Sequence, residues 1–527
     1  MKNWVTLLLL ILYSFILLRD FPVHDFTNLY FSGLFFAQGE FDEKTYDAYY
    51  FNRQIAELGY DHIFTGFYPN TPFAAIFFSV FTLLDLKTAK YVFIILSLVL
   101  LIFSLHRLFN YFNVPKPYLL LIPLLFFNAI KNNIVFGQAY ILIFFFLAEG
   151  FLLFKKEKYF LSGLLWSLAI LLKIFPVLIL GYLIISRHWR SVFYITINCS
   201  VAVVVLMLIS GFSFIEFYFN EVLLASLSGN LFNGFEPAAE SSIMLLKNMF
   251  LYDQIANPDP WFDSVFAFHG THILYKSLIL ACCTLVTLNQ KAGPAIKFSI
   301  WLFAGLLFTP NLSSYAPIVL LIPVVALLGE TKKIPVSYLF TFGITVFLFC
   351  NFPADRFDSM ILQFSRLFLL LILFGFLLSK YGRVKQSGAI LYLSIIWMMI
   401  ITISALPSLS AALKHHPITE EYLLPDDKHL LITGYGERDG RLYYHYWSEN
   451  GELPETTDIT IENLDSSDVY IADNQIYYHG AQVTFGSERK RLPMVADQKW
   501  IIYLSDKDRS LGFYTLRKIA VNRIEGE

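Results

Sequence analysis

The first loop carries an acidic residue, Asp25, a few residues beyond the first apolar segment of the chain. Asp25 follows His24 and opens a helix-compatible run that includes Tyr30. A carboxylate a few residues from a membrane surface can act as a general base that removes the proton from a hydroxyl group. The alternative is a helix N-cap, which is the commoner role of an Asp before such a run. Asp25 is the first candidate for a catalytic base, and His24 and Tyr30 are candidates for contacts with substrate.

Four further titratable residues in the same loop compete for the role of base. Asp42, Asp47 and Asp61 are predicted to be solvated, and His62 stands beside the last of them. A base works best in a partly dehydrated pocket, so a solvated carboxylate is the weaker candidate. If Asp25 is only a cap, the base is to be sought among these four residues.

Two polar residues interrupt or open apolar runs further along the chain. Lys173 stands inside such a run, where a charge is costly and often marks function. It either binds a lipid phosphate or extends its side chain to the membrane interface, as lysines near helix ends do. Gln138 opens another apolar run directly after Gly137, and its default role is a hydrogen bond between helices.

Metal and cofactor chemistry find no support in the sequence. The cysteines lie within or beside apolar segments, and neither they nor the histidines have the spacing of metal ligands. The chain carries no Walker loop, dinucleotide-binding fingerprint or nucleophile elbow. The formal net charge of −2 points to no nucleic-acid partner. No metal and no cofactor are predicted.

The composition places these residues in a membrane. Apolar residues make up 56% of the chain and charged residues 15%, whereas a soluble domain carries about 25% charged residues. The apolar residues form blocks of membrane-spanning length separated by short polar or basic breaks. The first block follows Lys2 but precedes no small-residue cleavage site, so it is interpreted as a retained span. The sequence therefore predicts an all-α polytopic protein of the bacterial inner (plasma) membrane.

Basic breaks between the apolar blocks set the predicted topology, because basic residues next to spans lie in the cytoplasm. Fixing these breaks inside gives about 13 transmembrane helices, with the N-terminus cytoplasmic and the C-terminus outside. The breaks used are centred on Arg107, Lys155, Arg187, Lys332 and Lys380.

Two apolar stretches need separate interpretation in this topology. Residues 159–185 are predicted to form a helical hairpin with Lys173 and Pro176 at its outer tip; a single tilted span is the alternative. Residues 71–84 are too short for a full crossing and are predicted to lie along the outer face.

The chain divides into two predicted domains. Residues 1–410 form the membrane domain, with outer loops at residues 19–70 and 212–270. Residues 414–527 alternate β-forming residues with Asp, Asn and Gly turns, which predicts a small β-rich extracytoplasmic domain.

Taken together, these features resemble glycosyltransferase family 87, a family of the C-type membrane transferase fold. Their order along the chain and their positions in the predicted topology carry the resemblance, and the C-terminal domain lies outside it. The matching pieces are Asp25, Tyr30 and Gly39; Tyr68-Pro69-Asn70-Thr71-Pro72; Gly137-Gln138; Gly163 leading to Lys173 and Pro176; Arg187-His188-Trp189-Arg190; and Thr309-Pro310-Asn311-Leu312-Ser313-Ser314-Tyr315.

The resemblance implies an inverting transfer of a sugar, mannose or another hexose, from a polyprenyl-phosphate donor to a lipid or glycan acceptor at the outer face. Asp25 would be the general base and Lys173 the cation beside the leaving phosphate. Gln138 and Tyr315 would line the substrate pocket, together with Tyr30, Tyr68 and His24.

Two other classes of protein are weighed against this one. A transporter or flippase of a lipid-linked sugar would have similar apolar blocks, but it should carry polar residues near the middle of several spans. A sensor would use the C-terminal domain to bind envelope glycan, although so many spans are excessive for an anchor. The charge that stays in loops favours the enzyme.

Overall fold

The computed structural model describes residues 25–115, 118, 121–229, 235, 237–253, 256–329, 335–353, 357, 359–382, 388–412, 420–424, 431–448, 451–486, 488–507 and 511–521. Within these ranges the chain is mainly helical as far as Ala412, and its strands lie from Glu421 onward. The prediction of a helical region followed by a β-rich region is confirmed.

The helices of the described residues vary widely in length, and several are joined by short 3-10 or π turns. In chain order they are α1 (Phe26–Gln38), α2 (Ala48–Glu57), α3 (Pro72–Phe78), α4 (Leu86–Tyr111), α5 (Leu121–Leu125), α6 (Phe127–Phe136), α7 (Tyr140–Lys155), α8 (Tyr159–Leu172), α9 (Ile179–Ile185), α10 (Trp189–Ser210), α11 (Phe212–Phe217), α12 (Leu224–Leu227), α13 (Ser242–Phe250), α14 (Val265–Leu288), α15 (Pro294–Phe308), α16 (Leu321–Gly329), α17 (Val336–Asn351), α18 (Met360–Gln363), α19 (Ser365–Tyr381) and α20 (Gly388–Ala412).

Three of the described helices, α4, α10 and α14, are long and apolar enough to cross a membrane. The bent pair of α6 and α7 makes a fourth when it counts as one span. Many other apolar helices are only 10–17 residues long, because breaks divide the apolar blocks. About 13 spans are therefore not shown, and the first of them lies outside the described residues. The α10 helix buries only 11% of its apolar stretch, which suits a helix that faces lipid.

The apolar stretch at residues 159–185 is divided at its predicted tip. Helix α8 ends at Leu172, Lys173 is extended (φ −149°, ψ 136°), and a 3-10 helix with Pro176 in its first turn leads into α9. Proline suits a helix start because it lacks the amide N–H that would be unsatisfied there. The helix is therefore broken at Lys173 and Pro176, whereas the hairpin with its tip at the outer face stays a prediction.

The stretch at residues 71–84 forms two short pieces. Helix α3 is 7 residues long and continues as the 3-10 helix Ser79–Leu83. A segment of this length is shorter than a bilayer crossing requires. Its predicted position along the outer face stays a prediction.

The C-terminal region contains one five-stranded sheet and two three-stranded sheets within the described residues. The strand orders are β1-β11-β10-β9-β5, β2-β3-β4 and β6-β7-β8, and the pairings are antiparallel. The strands are β1 (Glu421–Tyr422), β2 (Ile432–Arg438), β3 (Arg441–Ser448), β4 (Gly451–Thr460), β5 (Leu464–Asp465), β6 (Val469–Ala472), β7 (Gln475–Tyr478), β8 (Ala481–Gln482), β9 (Lys490–Ala496), β10 (Trp500–Ser505) and β11 (Thr515–Ala520).

One large apolar core runs through the helical region, and the sheets have smaller cores of their own. The two regions also share residues. Tyr49 and Phe64, from the first loop, pack against the core of the sheets, and Leu511 of the C-terminal region belongs to the helical core. The described part of the C-terminal region therefore lies directly on the first loop.

Candidate functional site

The side chain of Asp25 points to another part of the chain rather than to its own helix. Asp25 is the residue before α1, yet its carboxylate makes no capping hydrogen bond to that helix. Its Oδ2 atom instead accepts a hydrogen bond from Gln138 Nε2 at 3.0 Å. The capping role that competed with the catalytic one is therefore not the role of this carboxylate.

A glycine brings Gln138 to Asp25. Helix α6 ends at Gly137, which has φ +68°, and α7 starts at an angle of 119° to it. A Cβ atom on Gly137 would lie 2.6 Å from Phe26 Cβ, closer than two such atoms can approach. Glycine meets both demands, since it adopts positive φ without penalty and has no side chain to collide. The start of α1 can therefore approach the break between α6 and α7.

Lys173 lies at a second helix break and is held by an amide. Its Nζ atom donates a hydrogen bond to Asn70 Oδ1 at 2.7 Å, and the side chain is half-buried. The ammonium also interacts electrostatically with Asp25. An ammonium held inside the protein in this way differs from a lysine that simply extends to the membrane interface.

Asn70 and Thr71 connect several of these elements. The Asn70 amide donates to Phe67 O at 2.6 Å and to Asn28 Oδ1 at 3.2 Å. The hydroxyl of Thr71 donates to the carbonyl of Leu171, at the end of α8. Asn70 and Thr71, which stand between Pro69 and Pro72, therefore connect the start of α3 to α1 and α8.

A second lysine at the site was missed from the sequence. Lys90 lies near the start of α4, only 1% of it is exposed, and its Nζ atom donates to Val135 O at 2.6 Å. Like Lys173, it interacts electrostatically with Asp25. The signal was weak, because Lys90 follows Asp85, Lys87 and Thr88 and so has the surroundings of an ordinary polar helix start.

Tyr315 closes another side of the site, next to α6 and α7. Its ring packs against those of Tyr140 and Phe136, with centroids 5.1 and 5.9 Å apart. Its backbone carbonyl accepts a hydrogen bond from Asn133 Nδ2 at 3.0 Å. Tyr315 also interacts electrostatically with Asp25, so the structure brings it together with Gln138, Lys90 and Lys173.

Two of the other predicted contact residues, Tyr30 and Tyr68, lie within the described part of the chain. The hydroxyl of Tyr30 donates to Leu84 O at 2.9 Å. Tyr68 is buried just before Pro69, in the segment that leads to Asn70. His24 lies outside the described residues.

The competing carboxylates of the first loop have other partners. Asp42 is exposed and caps the 3-10 helix Glu43–Tyr46. Asp47 caps α2 and pairs with Arg489 of the C-terminal region. Asp61 is exposed, and its Oδ1 atom lies 3.6 Å from His62 Nδ1. These contacts leave Asp25 as the carboxylate that meets the two lysines.

The resulting group can transfer a proton and stabilise negative charge in one place. An ionised carboxylate is the acceptor that general base catalysis requires, and fixed ammonium groups stabilise charge that develops on a phosphate. Among the described residues, no group of three His, Cys, Asp or Glu side chains could hold a metal ion. The carboxylate and the two ammonium groups can supply acid–base and electrostatic chemistry.

Helix breaks that carry polar side chains, inside an otherwise apolar helical region, define an integral membrane protein with an internal polar site. Residues 67–310 match the family model of glycosyltransferase family 87. The match indicates a membrane glycosyltransferase. Tyr68, Gln138 and Lys173 lie inside the matched residues, whereas Asp25, Tyr30 and Tyr315 lie outside them. Comparison with curated proteins and comparison with solved structures each gave no match.

Proposed function

We propose that the protein is an inverting glycosyltransferase that moves a hexose, mannose in the first instance, from a polyprenyl-phosphate donor to a hydroxyl group of a lipid or glycan acceptor. The reaction takes place at the outer face of the bacterial inner membrane. The N-terminus is cytoplasmic, and the C-terminal domain is extracytoplasmic. The family match supports sugar transfer, and the basic breaks of the sequence support this orientation.

One observation carries the proposal: the carboxylate of Asp25 is bound by Gln138 and interacts with two lysines. Transfer from a sugar phosphate needs a base for the acceptor and cations for the leaving phosphate. These groups meet where several helices break, so they come from segments far apart in sequence.

The proposed reaction is a single displacement. The acceptor oxygen attacks the anomeric carbon, and its proton passes to the Asp25 carboxylate. The bond between the anomeric carbon and the phosphate oxygen breaks, and its electron pair stays on the polyprenyl phosphate. Lys173 stabilises the added negative charge, and Lys90 adds a second positive charge nearby. Attack opposite to the leaving group inverts the anomeric carbon.

The remaining predicted residues take supporting roles. Gln138 orients the Asp25 carboxylate, and Tyr315 lines the pocket with its ring and hydroxyl. Tyr30, Tyr68 and His24 are proposed contacts for the sugar or the lipid chain. The step needs neither a cofactor nor a metal, because two ammonium groups are available to the phosphate. The family match gives no support to a flippase.

The test is sugar transfer by the purified protein from polyprenyl-phosphate-mannose, with a membrane lipid extract as the acceptor pool. Wild type is compared with Asp25→Asn, which keeps an oxygen to accept the hydrogen bond from Gln138. Asp42→Asn is the matched control, because it neutralises an exposed carboxylate of the same loop. Loss of a general base lowers the rate by about 10²–10⁴-fold.

The expected result is transfer by wild type and by Asp42→Asn, and a large loss in a folded Asp25→Asn protein. Full activity of Asp25→Asn would remove the base assignment and return the search to Asp47, Asp61 and His62. No transfer by wild type, with glucosyl and galactosyl donors also inactive, would overturn the proposed reaction.

A further inference from the structure

The C-terminal domain, whose described residues lie between 420 and 521, contacts the first loop through a buried ion pair. Arg489 Nη1 lies 2.8 Å from Asp47 Oδ2, and the Asp47 side chain is only 3% exposed. The backbone supports the same contact, because Ala48 N donates to Leu511 O at 2.9 Å. The guanidinium of Arg491 also lies over the ring of Tyr49, with a 4.4 Å separation. Removing one partner of a buried ion pair leaves the other charge buried and is strongly destabilising.

The residue before Asp47 carries this contact toward the site. Tyr46 is buried, and its ring packs against Phe67 with centroids 5.0 Å apart. Its hydroxyl donates a hydrogen bond to the backbone carbonyl of Asn70 at 3.1 Å. Tyr46 and Asp47 share one peptide unit, so a displacement of Asp47 also displaces the hydroxyl that holds Asn70.

The last link joins Asn70 to the cation of the site. The Asn70 side chain accepts the hydrogen bond from Lys173 Nζ at 2.7 Å. A lysine side chain has four rotatable bonds, so the position of its ammonium depends on what it is bonded to. The placement of Lys173 relative to Asp25 therefore depends on Asn70.

We propose that the C-terminal domain positions the ammonium of Lys173, acting through Arg489, Asp47, Tyr46 and Asn70. The domain lies outside the residues that match the family model. The proposal gives it a role at the site formed by Asp25 and Lys173. Docking of the domain holds Lys173 where it can meet the donor phosphate. The statement about the phosphate rests on the proposed function, whereas the statement about the position of Lys173 does not.

The first measurement is independent of sugar transfer. The full-length protein is treated with a small amine-acylating reagent, and the rate of labelling at Lys173 is followed by mass spectrometry. Arg489→Ala breaks the ion pair, and Tyr46→Phe removes only the hydroxyl that holds Asn70. Arg441→Ala is the matched control, because Arg441 is an exposed arginine of the same domain that pairs loosely with Asp458 at 3.8 Å. Lys156, exposed beyond the far end of α7, serves as the internal reference.

Both test variants are expected to raise the labelling rate of Lys173 about three- to tenfold, within the range that residues along a coupling network produce. Lys156 and the Arg441→Ala protein should be unchanged, and Arg489→Lys should restore much of the wild-type rate. In the double variant the two effects should combine to less than their product, because both act along one path. If Arg489→Ala does not fold, Tyr46→Phe alone provides the test.

Wild-type labelling of Lys173 in both folded variants would overturn the proposal, and so would independent effects that multiply in the double variant. The second measurement is the KM for polyprenyl-phosphate-mannose, which should rise in both variants with a smaller change in kcat. If Lys173 is labelled faster in the variants than in wild type, but the wild type transfers no sugar, the positioning role is supported and the proposed reaction is contradicted.

Discussion

The carboxylate of Asp25 and the side-chain amide of Gln138 are joined at 3.0 Å, although 113 residues separate them along the chain. Asp25 precedes α1, and Gln138 stands in the break between α6 and α7. Each residue lies at the end of a helix, so the packing of the helix ends sets the position of its side chain. The hydrogen bond fixes the orientation of the carboxylate that we propose as the general base.

A second carboxylate at position 138 should shift the pH dependence of sugar transfer. In Gln138→Glu two carboxylates face each other, and like charges disfavour the ionised form of each. A general base must be ionised to work. The acid limb of the kcat/KM profile should therefore move to higher pH by about one unit.

The control for this shift is Gln138→Met, which removes the hydrogen bond without adding a charge. It should lower kcat and move the acid limb by less than Gln138→Glu does, because only a hydrogen bond to the carboxylate is lost and no like charge is added. Identical pH profiles for wild type and Gln138→Glu would mean that Asp25 is not the group whose ionisation limits transfer.

Gly137→Ala should impair the site more than Gly39→Ala, although both glycines have positive φ. The φ angles are +68° and +77°, so both substitutions carry the left-handed backbone penalty of about 1–2 kcal/mol. A Cβ on Gly137 would also meet Phe26 at 2.6 Å, whereas a Cβ on Gly39 would meet nothing within 4 Å. Gly137→Ala must push α1 away from the break, which separates Asp25 from Gln138.

Sugar transfer and thermal unfolding of the two proteins measure this difference. Gly39→Ala should lose stability but retain its kcat, and Gly137→Ala should lose both. Equal kcat values in the two variants would show that the approach of α1 to Gly137 does not set the geometry of the site.

Removal of Lys173 and removal of Lys90 should have different effects on sugar transfer and on stability. Lys173→Met removes a half-buried cation together with its hydrogen bond to Asn70 Oδ1, so transfer should fall about 10²–10³-fold, as for the loss of one stabilising donor, and the loss of stability should be smaller than at the almost fully buried Lys90. Lys90→Met also leaves the Val135 carbonyl without the hydrogen bond from Nζ, which costs about 1–3 kcal/mol. Lys90→Met should therefore lower both the activity and the melting temperature.

Kinetics and thermal unfolding on the same preparations separate the two effects. Lys173→Arg, which keeps the positive charge, is the control for the first variant. Wild-type activity in Lys173→Met would assign the leaving phosphate to Lys90 instead.

Local sequence signals led to three residues that lie close together in the structure. Asp25 after an apolar block, Gln138 after Gly137, and Lys173 before Pro176 each break a run of apolar residues, and the structure brings all three together. The helical and β-rich regions followed from composition and alternation. The predicted number of spans is not shown, because many of the described apolar helices are only 10–17 residues long.

The contacts that sequence reasoning missed are long-range. Lys90 stands close to a helix start, and nothing local shows that it faces Asp25. Asn70 had no predicted role within the segment Tyr68 to Pro72, yet its side chain binds Lys173 across 103 residues. Asp47 had the appearance of a solvated carboxylate because its partner, Arg489, is 442 residues away. Only the packed structure brings such residues together.

The stability of the C-terminal domain should depend on pH through a carboxyl group, Asp506, at its interface with the first loop. Burial, with a smaller effect of the nearby Asp47 charge, raises the pKa of Asp506 to about 6, against the opposing effect of the hydrogen bonds from Gly512 and Arg489 and of the Arg489 charge. The two carboxylate oxygens accept hydrogen bonds from Arg489 N at 2.6 Å and Gly512 N at 3.0 Å. The folded domain therefore binds this proton more tightly than the unfolded chain does.

The sign of the effect follows from proton linkage. A carboxyl group whose pKa is raised on folding contributes stability below its unfolded pKa of about 4, and this contribution is lost as the pH rises through about 6. A shift of this size corresponds to on the order of 3 kcal/mol. Asp506→Asn, which cannot titrate, should lack this part of the pH dependence.

Hydrogen exchange of the β10 amides in the full-length protein, corrected for intrinsic rates, measures the stability of the domain between pH 4 and pH 7. Wild type should lose protection relative to Asp506→Asn as the pH rises from 4 to 6. Other titrating groups, such as Glu420 and Glu488, are common to both proteins and cancel in the difference. Parallel pH dependences in the two proteins would show that Asp506 does not hold its proton, and that Arg489 stabilises both Asp47 and Asp506 as carboxylates.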